Sequence, residues 1–123
     1  MPVRLLSSSV LKWPSALMVD GAVRAWASSV VQARTDVRRI GYFGSYARGD
    51  WGVGSDLDVI VIVDCTTTPL ERRAAEWDTT ELPVPTDVLV YTQAEWETLQ
   101  PRRFYQTLNK EAVWIYDRDQ DRR

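Results

Sequence analysis

The pentad Val59-Ile60-Val61-Ile62-Val63 constrains the fold of this 123-residue chain more than any other segment. It is short, unbroken and β-branched, which marks a strand rather than a helix. Both of its alternating sets are apolar, so neither face meets water, and it reads as the central strand of a covered sheet. Asp56-Leu57-Asp58 stands directly before it. Alternation sends Asp56 and Asp58 to the same side, with Cα atoms about 6.6 Å apart. Two carboxylates aimed into one space repel unless a cation lies between them.

The rest of the chain supplies the partners for that strand. Pro14 and Ser15 precede a helical stretch to about Arg34, with apolar positions Leu17, Val19, Val23, Trp26, Val30 and Val31 mostly at three- and four-residue steps. Val37 to Phe43 reads as a first strand and Leu57 to Val63 as a second. Thr66-Thr67-Thr68-Pro69 reads as the entry to a short helix from Leu70 to about Thr79. A third strand runs from Val84 or Thr86 to Tyr91, and Thr92-Gln93-Ala94-Glu95 has capping-box spacing for the next helix. Pro101 opens another short helix to about Leu108, Asn109-Lys110-Glu111 turns, and Ala112 to Tyr116 is a final strand. The pattern predicts an α/β (α+β) domain over 14–116, a small mixed sheet flanked by helices. Residues 1–13 read as an irregular arm and 117–123 as a frayed tail.

Ahead of the Asp-x-Asp pair lies Gly44-Ser45, at the end of the first strand. Glycine lets the backbone turn sharply and approach a ligand closely. Ser45 then starts a short helix to about Arg48, and a helix start suits the outer phosphates of a nucleotide. Arg48 can add a charged hydrogen bond to phosphate, or form an ion pair with Asp50 or Asp56. A third carboxylate, Asp87, opens the third strand after a Pro-rich approach. Carboxylates at strand starts beside a small-residue phosphate cradle are what metal-assisted phosphoryl or nucleotidyl transfer requires.

The run Gly44-Ser45-Tyr46-Ala47-Arg48-Gly49, five residues, then Ser55-Asp56-Leu57-Asp58 resembles the signature of the minimal nucleotidyltransferase (MNT) family. That family belongs to the DNA polymerase β-like nucleotidyltransferase superfamily. The resemblance covers roughly Val37 to Tyr91. It implies a polymerase β-like core and a two-metal mechanism with Mg²⁺, in which Asp56, Asp58 and Asp87 are the catalytic metal ligands. It also implies that Gly44 and Ser45 grip the β and γ phosphates of ATP. Small members of this family resemble antitoxins that work with a helical HEPN-family RNase toxin and transfer AMP to a tyrosine of it. Two alternatives stay open: a small-molecule, aminoglycoside-type nucleotidyltransferase, and a non-catalytic antitoxin that neutralises its partner by binding. The loop Asp50-Trp51-Gly52-Val53-Gly54 is unusually aromatic and glycine-rich, which leaves Trp51 either stacking on a base or covering the core.

Composition narrows the partners and the chemistry. A chain of this length makes one modest core. The net charge of −2 gives no basic face for duplex nucleic acid. Arg38-Arg39, Arg72-Arg73 and Arg102-Arg103 read as solvated edges of elements. The chain has no His, which excludes a His base, a His-containing zinc site and a Ser-His-Asp triad. Cys65 is the only cysteine, so no internal disulfide forms, and it reads as a small packed residue in a cytoplasmic protein. No apolar run reaches the about 20 residues of a membrane span. The strands and the metal site use most of the chain, leaving little for a base or acceptor pocket. An acceptor supplied by a partner, or a homo-oligomer, meets that need. Trp51, Trp77 and Trp96 are either anchors for such a partner or core residues.

Overall fold

The computed structural model describes residues 13–121. Its elements in chain order are α1 (Ala16–Ala33), β1 (Val37–Phe43), α2 (Ser45–Arg48), β2 (Leu57–Val63), α3 (Leu70–Arg73) with a 3₁₀ turn (Ala74–Glu76), β3 (Thr86–Thr92), α4 (Gln93–Thr98), α5 (Arg103–Glu111), β4 (Val113–Asp117) and α6 (Arg118–Asp121). The four strands form one mixed sheet in the order β3-β2-β1-β4. Strand β1 is antiparallel to both β2 and β4, whereas β2 and β3 run parallel. The α+β class with a small mixed sheet is therefore the observed fold.

Strand β2 is central, as its apolar run requires, and each side chain from Val59 to Val63 is buried. Its two faces build two cores. Leu57, Val59, Val61 and Val63 join Val19, Val23, Trp26 and Ala27 of α1 in the larger core. Ile60 and Ile62 join Trp96 of α4 and Leu108 of α5 in the smaller one. Burying a large aliphatic side chain contributes about 1.5–3 kcal/mol, so the five-residue run anchors both layers at once. Asp58 shares the parity of Ile60 and Ile62, so it belongs to the face that α5 covers.

Local signals place most element ends. The Ser15 side chain caps α1 by accepting from the Met18 N–H, and Leu17, expected on the packed face, is 83% exposed. Thr92 and Glu95 form a reciprocal capping box at α4. The helix expected to about Thr79 stops at Arg73 and tightens into the 3₁₀ turn, because Trp77 turns extended and enters the larger core. Helix α5 does not end at Leu108. Asn109, Lys110 and Glu111 continue it, and the chain enters β4 only after Ala112. Asp117 closes β4 and Arg118 starts α6, where its guanidinium binds both oxygens of Asp64 and the Thr35 carbonyl. Of the arm and tail expected at the termini, residues 1–12 and 122–123 lie outside the described residues.

Two expectations about single side chains change, and the alternative left open for the tryptophans is resolved. Arg73 is buried rather than a solvated edge, while Arg72 is exposed as expected. Cys65 is exposed rather than packed. Trp77 and Trp96 are core residues, and Trp51 stacks flat on Tyr46 at 5.5 Å against the larger core.

Candidate active site

The site lies where β1 ends beside the start of β2. Gly44 has φ +79°, a left-handed conformation that side chains rarely adopt. A Cβ built there would run into Asp58 Oδ2, so only glycine lets the turn and the carboxylate occupy this space together. Gly44 is the N-cap of α2, and its carbonyl accepts from the Ala47 and Arg48 N–H groups. Ser45 follows on the first turn and lines the same cleft.

Asp58 pairs with Phe43 across the antiparallel β1–β2 ladder and with Asp87 across the parallel β2–β3 ladder. Neighbouring strands are about 4.8 Å apart, so this register brings Asp87 beside Asp58 although 29 positions separate them in the chain. Asp56 precedes it on the same side, exposed, while Asp58 is half-buried. Among the described residues no hydrogen-bond donor engages any of the three carboxylates. Burial pushes the Asp58 carboxyl above its ordinary value, and the charges of Asp87 and Asp56 push it further the same way, with Arg48 opposing. The donor set, three carboxylates with no thiolate or imidazole, suits a hard divalent cation such as Mg²⁺. Among the described residues no three acidic groups are already drawn together tightly enough to hold an ion.

The cleft has a volume of about 450 Å³. One wall carries Gly44, Ser45, Arg48, Asp56 and Asp58, which brings together the expected phosphate cradle and two of the three expected metal carboxylates. Asp87 stands outside this wall, exposed, on the strand next to Asp58. The opposite wall comes from α5: Phe104, Thr107, Leu108 and Glu111 also line the cleft. Their spacing of three, four and seven residues puts them on one helix face. The sequence reading singles out none of the four, and Glu111 lies beyond the helix it expects to end at about Leu108. Carrying its periodicity one more turn would have put a carboxylate on the packed face.

Glu111 is the most connected of them. The Gly44 N–H donates to Glu111 Oε2 at 2.7 Å, and the Arg48 guanidinium donates to Glu111 Oε1 at 3.1 Å. Arg48 Nε also donates to Asp50 at 3.1 Å, the ion pair expected as one of its alternatives.

A family model described as a nucleotidyltransferase domain matches residues 25–115, from α1 into β4. The chain belongs to this family. The nucleotidyltransferase domain spans every element that positions the cleft. Its fold is similar to that of a candidate nucleotidyltransferase from Sulfolobus solfataricus, with a TM-score of 0.62, 17% identity and 85% of each chain covered. Two looser structural matches are a toxin–antitoxin complex with AMP-PNP (TM-score 0.46, 18% identity, 80% of this chain and 76% of that chain) and a mutant form of the toxin–antitoxin MntA-HpeT (TM-score 0.47, 14% identity, 80% and 75%). A search of the curated proteins finds no match. Among the described residues no helix of the nucleotidyltransferase domain is long and apolar enough to cross a membrane.

Proposed function

We propose that this domain transfers AMP from ATP to a hydroxyl supplied by a partner protein, a tyrosine on a helical HEPN-family toxin, and so acts as its antitoxin. The observation that carries this reading is the contrast at Asp58. A half-buried carboxylate is flanked by two more, its pKa is raised first by burial and then by their charges, and no hydrogen-bond donor engages it. Acidic groups held together at such a cost point to a cationic ligand, and sites of perturbed pKa cluster where function is. The adenine specificity and the tyrosine acceptor rest on the family resemblance of Gly44-Ser45 and Asp56-x-Asp58.

In this reading Asp56, Asp58 and Asp87 hold Mg²⁺, which when bound neutralises triphosphate charge and makes the acceptor hydroxyl more acidic. The Gly44 N–H, the Ser45 hydroxyl and Arg48 hold the outer phosphates. The acceptor hydroxyl releases its proton to water, its oxygen bonds to the α-phosphorus, the bond to the bridging oxygen breaks, and pyrophosphate leaves with the electron pair. The chain's part is to orient the triphosphate and stabilise charge. The partner's surface completes an acceptor site that the open cleft leaves unbuilt.

The test is co-expression with a helical partner encoded beside it, then incubation with ATP and Mg²⁺. The partner should gain the mass of AMP on a tyrosine. Asp56→Ala should lower this transfer by roughly 1,000-fold or more while leaving the complex intact. An unmodified partner, together with full neutralisation of toxicity by Asp56→Ala, would overturn the enzyme reading in favour of inhibition by contact.

A further inference from the structure

Glu111 occupies the place that an anionic ligand would take. Its carboxylate accepts from the Gly44 N–H at 2.7 Å and from the Arg48 guanidinium at 3.1 Å, the first a short, charge-assisted bond. Its side chain is only 18% exposed, and it projects from the last residue of α5 into the cleft shared with Asp56 and Asp58. A carboxylate and a terminal phosphate ask for the same donors, so the two cannot use Gly44 N–H and this face of Arg48 together.

We infer that Glu111 is an internal competitor for the outer-phosphate seat, and that triphosphate binds by exchange, displacing the Glu111 carboxylate from Gly44 and Arg48. The inference rests on the reading of Gly44, Ser45 and Arg48 as the phosphate cradle and deepens it. Charge explains why exchange is required. A triphosphate entering beside Glu111 would bring its own negative charge against a carboxylate that no cation in the cleft other than Arg48 offsets. Location explains why exchange is feasible. Glu111 is the terminal residue of its helix, followed by the single residue Ala112 before β4, so its side chain can turn outward without unpacking Leu108. The device also sets ligand preference. A ligand with no phosphate gains nothing by moving Glu111, whereas magnesium triphosphate replaces one anion with a stronger one on the same donors.

The test is a calorimetric titration of the full chain with magnesium ATP, magnesium tripolyphosphate and adenosine, on wild type, Glu111→Gln, Glu111→Ala and Asp58→Asn. Both Glu111 variants should bind ATP and tripolyphosphate roughly five- to tenfold more tightly, since a competing charged hydrogen-bond acceptor has been removed. Adenosine affinity should stay the same. Unchanged or weaker ATP binding in both variants, or a gain shared equally by adenosine, would overturn the inference. If Asp58→Asn abolishes ATP binding while Glu111→Gln matches wild type, only the role of Glu111 falls. If wild type and both Glu111 variants bind no ATP, the phosphate-cradle reading falls with it. Wild-type protein gives a check independent of how the variants fold: the Gly44 amide proton resonance should shift when magnesium tripolyphosphate is added. An unmoved resonance at saturation would overturn the exchange.

Discussion

Strand β3 begins at one charged cluster and ends at another, and the two are built on opposite rules. At its end, Arg73 is buried and makes four hydrogen bonds. It donates to both oxygens of Glu95 at 2.6 and 3.0 Å and to the carbonyls of Thr68 and Val90 at 2.8 and 3.0 Å. Glu95 also accepts from the Thr92 N–H, and chiefly through its bonds with Arg73 its pKa falls to about 2. At the start of β3, Asp87 stands beside Asp58, which has no hydrogen-bonded partner among the described residues and a raised pKa. One cluster closes its charges on itself and ties α3 to α4. The other leaves like charges facing one cleft. An unpaired, half-buried carboxylate beside two others in a cleft is the arrangement that a cationic ligand would complete, as the proposed function requires.

The largest test of this contrast is Arg73→Met, which leaves Glu95 short of its cation and two carbonyls without a donor. It should cost about 3 kcal/mol of folding stability in denaturant titrations and leave ATP affinity unchanged. A loss below about 1 kcal/mol would show that the paired cluster is not structural. Next comes Ser45→Ala at the open cluster. The Ser45 hydroxyl has no hydrogen-bond partner among the described residues. Removing it should weaken ATP binding roughly tenfold and AMP binding much less. Equal losses for the two nucleotides would show that Ser45 does not contact the outer phosphates.

The paired cluster also carries a pH signature. The folded pKa of Glu95, about 2, lies below its ordinary value of 4.5. Its contribution is therefore fully present above the unfolded pKa and is lost as pH falls through about 2. Because 42% of its side chain is exposed, solvent screening limits the effect to about 1 kcal/mol. Wild type should thus lose about that much stability relative to Glu95→Gln between pH 5 and pH 2. Parallel curves for the two proteins would refute the pairing. The smallest effect belongs to Asp58→Asn, which removes repulsion rather than a contact. The ligand-free protein should melt at the same temperature or be stabilised by about 0.5 kcal/mol. The extra thermal shift that wild type gains from Mg²⁺ and ATP together should vanish. A destabilised apo variant would mean that Asp58 has a structural partner after all.

Much of the open cluster was legible before any tertiary contact was known, because its logic is local. Asp56 and Asp58 share a face through the two-residue period of a strand, and the apolar run after them needs no partner to declare itself buried. Gly44 announces a turn, and the capping box at Thr92 and Glu95 is four residues long. Their spacing alone determined the ends of β1 and β2, the turn at Gly44 and the pair of carboxylates. What the tertiary structure decided depends on distant segments meeting. Glu111 reaches Gly44 across 67 residues, and Arg73 reaches Val90 across 17 and Glu95 across 22. Arg73 therefore read as one of a solvated pair, and its burial goes with partners, the Val90 carbonyl of β3 and the Glu95 carboxylate of α4, that only the packed fold presents to it. Trp51 was ambiguous until Tyr46 was placed beneath it. Periodicity tells a side chain which face it is on. Only the packed fold tells it what stands opposite, and for an ionic group that determines whether it closes a network or waits for a ligand.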